Sequence, residues 1–163
     1  MSRVTLSRQP QLEELTSTKS SQVARLRALH RRKGRLEYGT FLAEGPECVE
    51  AALRAGVVTR LLARPGHDCV SRASEAGVPV RLASDRVITA VSDTRSPQGV
   101  VAECRLPSQV EERVWASAGP MVVADGVADP GNLGSIIRTV EAVGGVGLDR
   151  KSTRLNSSHQ IIS

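Results

Sequence analysis

Apolar and polar positions along this chain come in blocks whose period switches between that of a helix and that of a strand. From Ser21 to Lys33, Val23, Leu26, Leu29 and His30 form a thin apolar stripe at helical spacing, and Gly34 follows as a stop. Thr40 to Ala43 reads as a short strand. Pro46 to Ala55 reads as a helix with proline in its first turn and Gly56 just past its end. Val58 to Ala63 is a predicted strand, Cys69 to Ala76 a short helix closed by Gly77, and Val78 to Leu82 a strand. Asp85 to Val91 is a short helix with Ser84 placed to cap it, and Gly99 to Cys104 is a strand. This alternation predicts a small α/β layer domain over residues 19–105. Residues 1–18 are polar without a clear period and are expected to be disordered.

The second block begins with residues 106–120, read as a linker and an entry helix punctuated by Pro107, Gly119 and Pro120. Met121 to Ala124 is a continuous apolar run, the pattern of a parallel strand buried on both faces. A turn-rich loop follows, in which Asp129-Pro130-Gly131 favours a tight reversal. Leu133, Ile136, Ile137, Val140 and Val143 then share one helical face, Gly144 suits the cap, and Val146 to Leu148 opens another strand. The loop therefore lies at the carboxyl end of a strand, where open α/β sheets bind ligands.

Arg138 falls off the apolar face, on the side of Ser135 and near Glu141, and its planar guanidinium suits a phosphate. Spacing alone leaves a plainer alternative open. Asp-Pro-Gly-Asn is a common turn and cap, and Arg138 with Glu141 would be a surface pair worth a few tenths of a kcal/mol. A dinucleotide-binding enzyme is disfavoured, because the Gly-x-Gly-x-x-Gly spacing is absent.

Charge sharpens the reading of the first block. The net charge is +5, and seven basic residues fall between Lys19 and Arg35 (Lys19, Arg25, Arg27, Arg31, Arg32, Lys33, Arg35), with no acidic residue between Glu14 and Glu37. Such a run is either a solvated face or a phosphate-binding surface. Tyr38, Phe41 and Trp115 are the only aromatic residues, too few for a base-stacking platform. RNA bound here would be held through phosphates and shape. Cys48, Cys69 and Cys104 are widely spaced and odd in number, which indicates reduced thiols and no metal site. No apolar run approaches the ~20 residues of a membrane helix and the N-terminus is polar, so the expectation is a cytoplasmic protein with no membrane partner.

The run Asp125 to Gly144, with its Asp129-Pro130-Gly131-Asn132-Leu133-Gly134-Ser135-Ile136-Ile137-Arg138-Thr139 core, resembles the first signature motif of the SpoU (TrmH-like) class of SPOUT RNA methyltransferases. The resemblance covers twenty positions, with Val140 and Val143 standing where alanine, or phenylalanine or alanine, is usual. Upstream, Leu29 to Arg35 and Phe41 to Gly45 resemble the substrate-binding domain that precedes the catalytic domain in these enzymes, and Ser92 to Ala102 resembles that domain's last segment. Thr16 to Ser20 departs from the Asn-Pro step often found there.

The resemblance implies an L30-like RNA-binding domain followed by the start of a knotted α/β methyltransferase domain, a rare topology. The activity implied is transfer of a methyl group from S-adenosylmethionine to a ribose 2′-hydroxyl of rRNA or tRNA. Arg138 is implied as the catalytic arginine, Asn132 as organiser of the active-site loop, and Glu141 as a partner that holds Arg138. Lys19, Arg25, Arg31, Arg32, Lys33 and Arg35 are the expected RNA contacts. A homodimer is implied for the full-length protein. The rival reading is a non-catalytic L30-like RNA-binding module, which has no use for the Asp125–Gly144 motif.

Residues 149–163 are polar, without helical or strand period, and resemble the in-frame translation of a sequencing-library adapter. They are expected to be a non-native tail. The second block, residues 106–148, is then an incomplete methyltransferase domain, without the segments that hold the cofactor, and the chain as it stands is expected to be inactive.

Overall fold

A computed structural model of the chain describes residues 14–107, 114–151 and 160–162. It divides into two units, Met1–Leu106 and Pro107–Ser163.

In the first unit four strands form a mixed sheet: β1 (Thr40–Glu44), β2 (Val58–Ala63), β3 (Val80–Leu82) and β4 (Val100–Arg105), in the order β1-β4-β2-β3. β4 is antiparallel to both β1 and β2, and β2 is parallel to β3. Five helices cover it: α1 (Ser21–Ala28), α2 (Arg32–Tyr38), α3 (Pro46–Arg54), α4 (Cys69–Glu75) and α5 (Asp85–Val91). Period-two alternation sends each strand's side chains to two separate cores. Leu62 and Val101 meet Val23 and Leu26 of α1, Leu29 at its C-cap, and Val87, Ile88 and Val91 of α5 on one face. Leu61, Ala63, Val100, Ala102 and Cys104 meet Val49 and Ala52 of α3 and Cys69 and Ala73 of α4 on the other. The central strand β4 is buried on both faces.

The basic segment differs from the single helix expected over Ser21–Lys33. α1 is capped by Ser20, whose side chain accepts from the Val23 N–H, and it ends at Ala28. Arg31 is extended (φ −99°, ψ 141°) and α2 starts at Arg32. Gly34 is therefore not a C-terminal stop. It is buried inside α2, where a Cβ would lie 2.1 Å from the Ala28 carbonyl oxygen. The stop is Gly39, at φ 63°. Arg35 Nη1 donates to the carbonyls of Leu29 (3.1 Å) and His30 (2.9 Å), satisfying acceptors left over at the end of α1. Close packing of Gly34 on Ala28, six residues back, goes with the break in the helix, which helical spacing does not reveal.

Order also reaches further towards the N-terminus than expected. Leu15 bridges to Ala83 and is buried in the core under α1 and α5, so disorder through residue 18 is corrected from residue 14 on. Residues 1–13 lie outside the described residues, as do 108–113 of the expected linker and entry helix.

In the second unit β5 (Met121–Asp125) pairs in parallel with β6 (Gly147–Lys151), which pairs antiparallel with β7 (Gln160–Ile162). The helix α6 (Pro130–Ala142) joins β5 to β6, and Ala124, Val140 and Leu148 form its core with Leu133, Ile136 and Ile137. Three expectations are corrected. Val123 is 62 % exposed, so β5 is not buried on both faces. Val143 is 64 % exposed, because it is the C-cap and has left the helical face. Asp149–Lys151 complete β6 and Gln160–Ile162 form β7, so residues 149–163 are not without regular elements; backbone pairing to a neighbouring strand needs no apolar period. Residues 152–159 and 163 lie outside the described residues. Among the described residues no helix is long and apolar enough to cross a membrane.

Candidate functional site

The stretch after β5 is built as a capped helix start. Gly126 takes φ 73°, a left-handed turn leaving the strand. The Asp129 carboxylate accepts from the Asn132 N–H at 2.8 Å, and Pro130 occupies the first turn, where a missing N–H costs nothing. Arg150 Nη2 of β6 donates to the Val127 carbonyl at 3.2 Å, which ties the loop to the neighbouring strand.

Arg138 is exposed, and Nη2 donates to Ser135 Oγ at 3.1 Å. That hydroxyl in turn donates to the Gly131 carbonyl at 3.1 Å. A relay therefore runs from the Asp-Pro-Gly turn through Ser135 to the arginine, setting the direction of the guanidinium while leaving most of its donors free. Thr139 Oγ1 donates to the Ser135 carbonyl at 2.9 Å, one turn back.

The three residues expected to be catalytic are not gathered at one point. At roughly 100° per residue Asn132 and Glu141 lie on opposite sides of α6. Asn132 acts through its backbone N–H in the cap. Among the described residues the ion pairs do not include Arg138 with Glu141; Ser135 takes the holding role assigned to Glu141.

In the first unit the six expected RNA contacts fall into two groups. Lys19, Arg31, Arg32 and Lys33 are exposed, the last three at the break between α1 and α2. Arg25 and Arg35 are engaged. Arg25 Nη2 donates to Glu103, and its guanidinium sits 4.8 Å from the centroid of the Tyr38 ring. Arg35 holds the end of α1. Glu103, a carboxylate only 3 % exposed on the central strand, also accepts from Thr40 Oγ1 at 3.0 Å and lies 3.7 Å from Arg60 Nη1. Sequence reasoning missed it, because an acidic residue in an apolar strand carries no sign of where its partners come from.

Two of the three thiols are unsuited to chemistry. Burial, with the Asp68 charge, pushes Cys69 up. Burial pushes Cys104 to about 11, against a lowering backbone hydrogen bond from Ala43 and with a further push from Glu103. Cys48 is exposed. Among the described residues no group of His, Cys, Asp and Glu could hold a metal ion.

Comparison with known proteins fits this geometry. The family described as the MRM3-like substrate binding domain matches residues 20–102, just over half of the chain and nearly all of the first unit's sheet and helices. The chain is 35 % identical over 134 residues to the 23S rRNA (guanosine(2553)-2′-O)-methyltransferase RlmP of Bacillus subtilis, covering 82 % of this chain and 52 % of that protein. It is 32 % identical over 159 residues to an uncharacterized tRNA/rRNA methyltransferase of Synechocystis, covering 84 % of this chain and 52 % of that one. The chain thus spans about half the length of the curated relatives it matches. Among solved structures, the AdoMet-bound rRNA methyltransferase of Sinorhizobium meliloti superposes with a TM-score of 0.68 at 30 % identity, over 86 % of this chain and 56 % of that one. The sheet with its two cores, the capped Asp-Pro-Gly-Asn helix and these likenesses agree: the chain belongs to the SpoU/TrmH-type RNA methyltransferase family and carries that family's MRM3-like substrate-binding domain.

Proposed function

We propose that this chain supplies the RNA-binding domain and the arginine-bearing first motif of an S-adenosylmethionine-dependent RNA 2′-O-methyltransferase acting on rRNA or tRNA. The observation that carries the reading is the relay from the Asp129-capped turn through Ser135 to Arg138, on a helix that follows a parallel strand. The relay sets the direction of a permanently charged, partly free guanidinium suited to a phosphate, and the loop that starts it follows the carboxyl end of β5, where α/β sheets take ligands.

Methyl transfer to a ribose needs the 2′-hydroxyl oxygen to lose its proton as it attacks. In this reading Arg138 binds the adjacent phosphate, orients the ribose and stabilises negative charge developing on that oxygen. Ser135 positions Arg138, and Asn132 holds the turn through its cap. Lys19, Arg31, Arg32 and Lys33 bind phosphates farther along the RNA, giving affinity without base readout. S-adenosylmethionine supplies the methyl group in the whole protein. In the second unit Ala124, Val140 and Leu148 make a small core with Val123 exposed on the same strand as Ala124, and no described residue is assigned to the cofactor. Homodimer formation and a cytoplasmic location belong to the same reading.

The test is methyl transfer from labelled S-adenosylmethionine to rRNA or tRNA, by a protein that carries this chain and has the full length of the relatives it matches. The product is scored by alkaline hydrolysis, because a 2′-O-methyl group blocks cleavage at that nucleotide. An alkali-resistant step supports the reading, and a methyl group found on a base overturns it. RNA binding without any methyl transfer favours the rival, a binding module.

A further inference from the structure

A second basic feature lies apart from the exposed run at the α1–α2 break. Arg25 of α1, Arg60 of β2 and Arg81 of β3 line one cleft of about 530 Å³, together with Ser21 and Gln22. The sheet register produces it. Arg60 is paired with Glu103, and Arg81 with Leu62, so alternation turns all three polar side chains to the sheet face that carries α1.

Among the described residues the charges there do not balance. Glu103 is the carboxylate beside this cleft, and it is shared between Arg25 and Arg60. Arg81 has no ion pair among the described residues, and its Nε is buried without a hydrogen-bond partner, as is Nε of Arg25. Three guanidiniums facing one nearly buried carboxylate leave an anion-seeking site with rigid forks matched to phosphate oxygens. Its volume is in the range of ligand sites of several hundred Å³. No aromatic ring lines it; Tyr38 lies under Arg25 instead. A phosphate group fits these walls and a stacked base does not.

We propose that this cleft binds a backbone phosphate of the RNA, with Arg81 and Arg60 as direct ligands and with Arg25, oriented by Glu103 and Tyr38, as the third edge. The inference rests on the RNA-binding part of the proposed function and adds a binding surface whose direct ligands, Arg60 and Arg81, lie outside the Lys19–Arg35 run.

The test is fluorescence anisotropy of the whole chain with a fluorescein-labelled RNA hairpin over a series of KCl concentrations. It compares wild type, Arg81→Gln, Arg81→Lys and Arg60→Gln, with circular dichroism to confirm folding. The expected result for Arg81→Gln is a salt slope shallower by about 0.7 to 0.9, the change when one RNA phosphate is no longer neutralised, with the slope retained in Arg81→Lys. Arg60→Gln should show the same shallower slope and keeps the question answerable if Arg81→Gln does not fold. Unchanged slopes in both glutamine variants, alongside weakened binding when Arg31, Arg32 and Lys33 are neutralised, overturn the cleft and leave RNA binding intact. Wild type that does not bind the hairpin overturns both. Binding of inorganic phosphate with RNA affinity unaffected by Arg81→Gln makes the cleft a free-anion site and overturns its assignment to RNA.

Discussion

Arg25 and Glu103 lie 78 positions apart in the chain and meet as an ion pair beneath α1, with the carboxylate almost fully buried on the central strand. Thr40 and Arg60 complete the set around the same carboxylate. This cluster joins α1, β1, β2 and β4, so it ties the basic helix to the sheet that carries the domain.

Arg25→Met should destabilise the chain by about 2 kcal/mol, the scale of a hydrogen bond to a charged group, since Arg60 remains near the carboxylate. Adding Glu103→Met should recover part of that loss, because no buried charge is then left without its partner. Urea unfolding of the two single variants and the double variant measures this coupling; strictly additive losses would show that the pair does not act as a unit.

Gly34→Ala should cost about 1–3 kcal/mol, because the new methyl group would press on the Ala28 carbonyl and force α1 and α2 apart. Gly56→Ala meets open space at φ 65° and should cost only backbone strain, about 1 kcal/mol. Thermal melts of both variants check the order; an equal effect would mean the close approach at Gly34 is not what shapes the break.

Neutralising Arg31, Arg32 and Lys33 together should weaken RNA binding and reduce the salt slope by about 2, three phosphates at roughly 0.7 each. A slope equal to that of the wild type would mean that this exposed turn faces away from the RNA.

Arg138→Ala, in a protein that carries this chain at the full length of its relatives, should lower methyl transfer by about a hundredfold or more, the scale of losing one preorganised charge-stabilising donor. RNA affinity should change by no more than about threefold, the effect of a single phosphate among several. Ser135→Ala should lower transfer less, since it only releases the direction of the guanidinium. Full activity in Arg138→Ala would remove the arginine from the mechanism.

The Cys104 thiol, raised from 9.0 to about 11, holds its proton more tightly in the folded chain than in the unfolded one. Its contribution to stability is therefore complete below pH 9 and is lost as the pH climbs through about 11. Cys104→Ala should lose stability less steeply with pH across that window. Urea midpoints measured at intervals through it give the slope; identical slopes for the variant and the wild type would place the alkaline loss elsewhere.

Much of the fold was legible because it rests on short-range periodicity. Leu133, Ile136, Ile137 and Val140 mark one face of α6 by spacing alone, and Gly144 ends it at φ 73° as a glycine there should. The strands from Thr40 to Cys104 lie where their apolar runs put them, to within a residue or two. The motif from Asp125 to Gly144 points to the family without any geometry, since its turn and cap chemistry is encoded locally.

What stayed hidden depends on residues far apart in sequence or on side-chain geometry. The break between α1 and α2 follows from Gly34 resting on Ala28 and from Arg35 reaching back to two carbonyls, interactions invisible to a helical wheel. Ser135 rather than Glu141 holds Arg138, because the helix offers both as neighbours and only the side-chain geometry chooses between them. The division of the basic residues into exposed ones at Arg31–Lys33 and an engaged Arg25 was decided by a carboxylate on the central strand, and the cleft with Arg60 and Arg81 by strand register. Sequence by itself determined the elements, the family motif and the sign of the charge, because these are local properties. Only the tertiary structure decided which charges are free to meet a phosphate, because that depends on which partners the sheet brings within hydrogen-bonding distance.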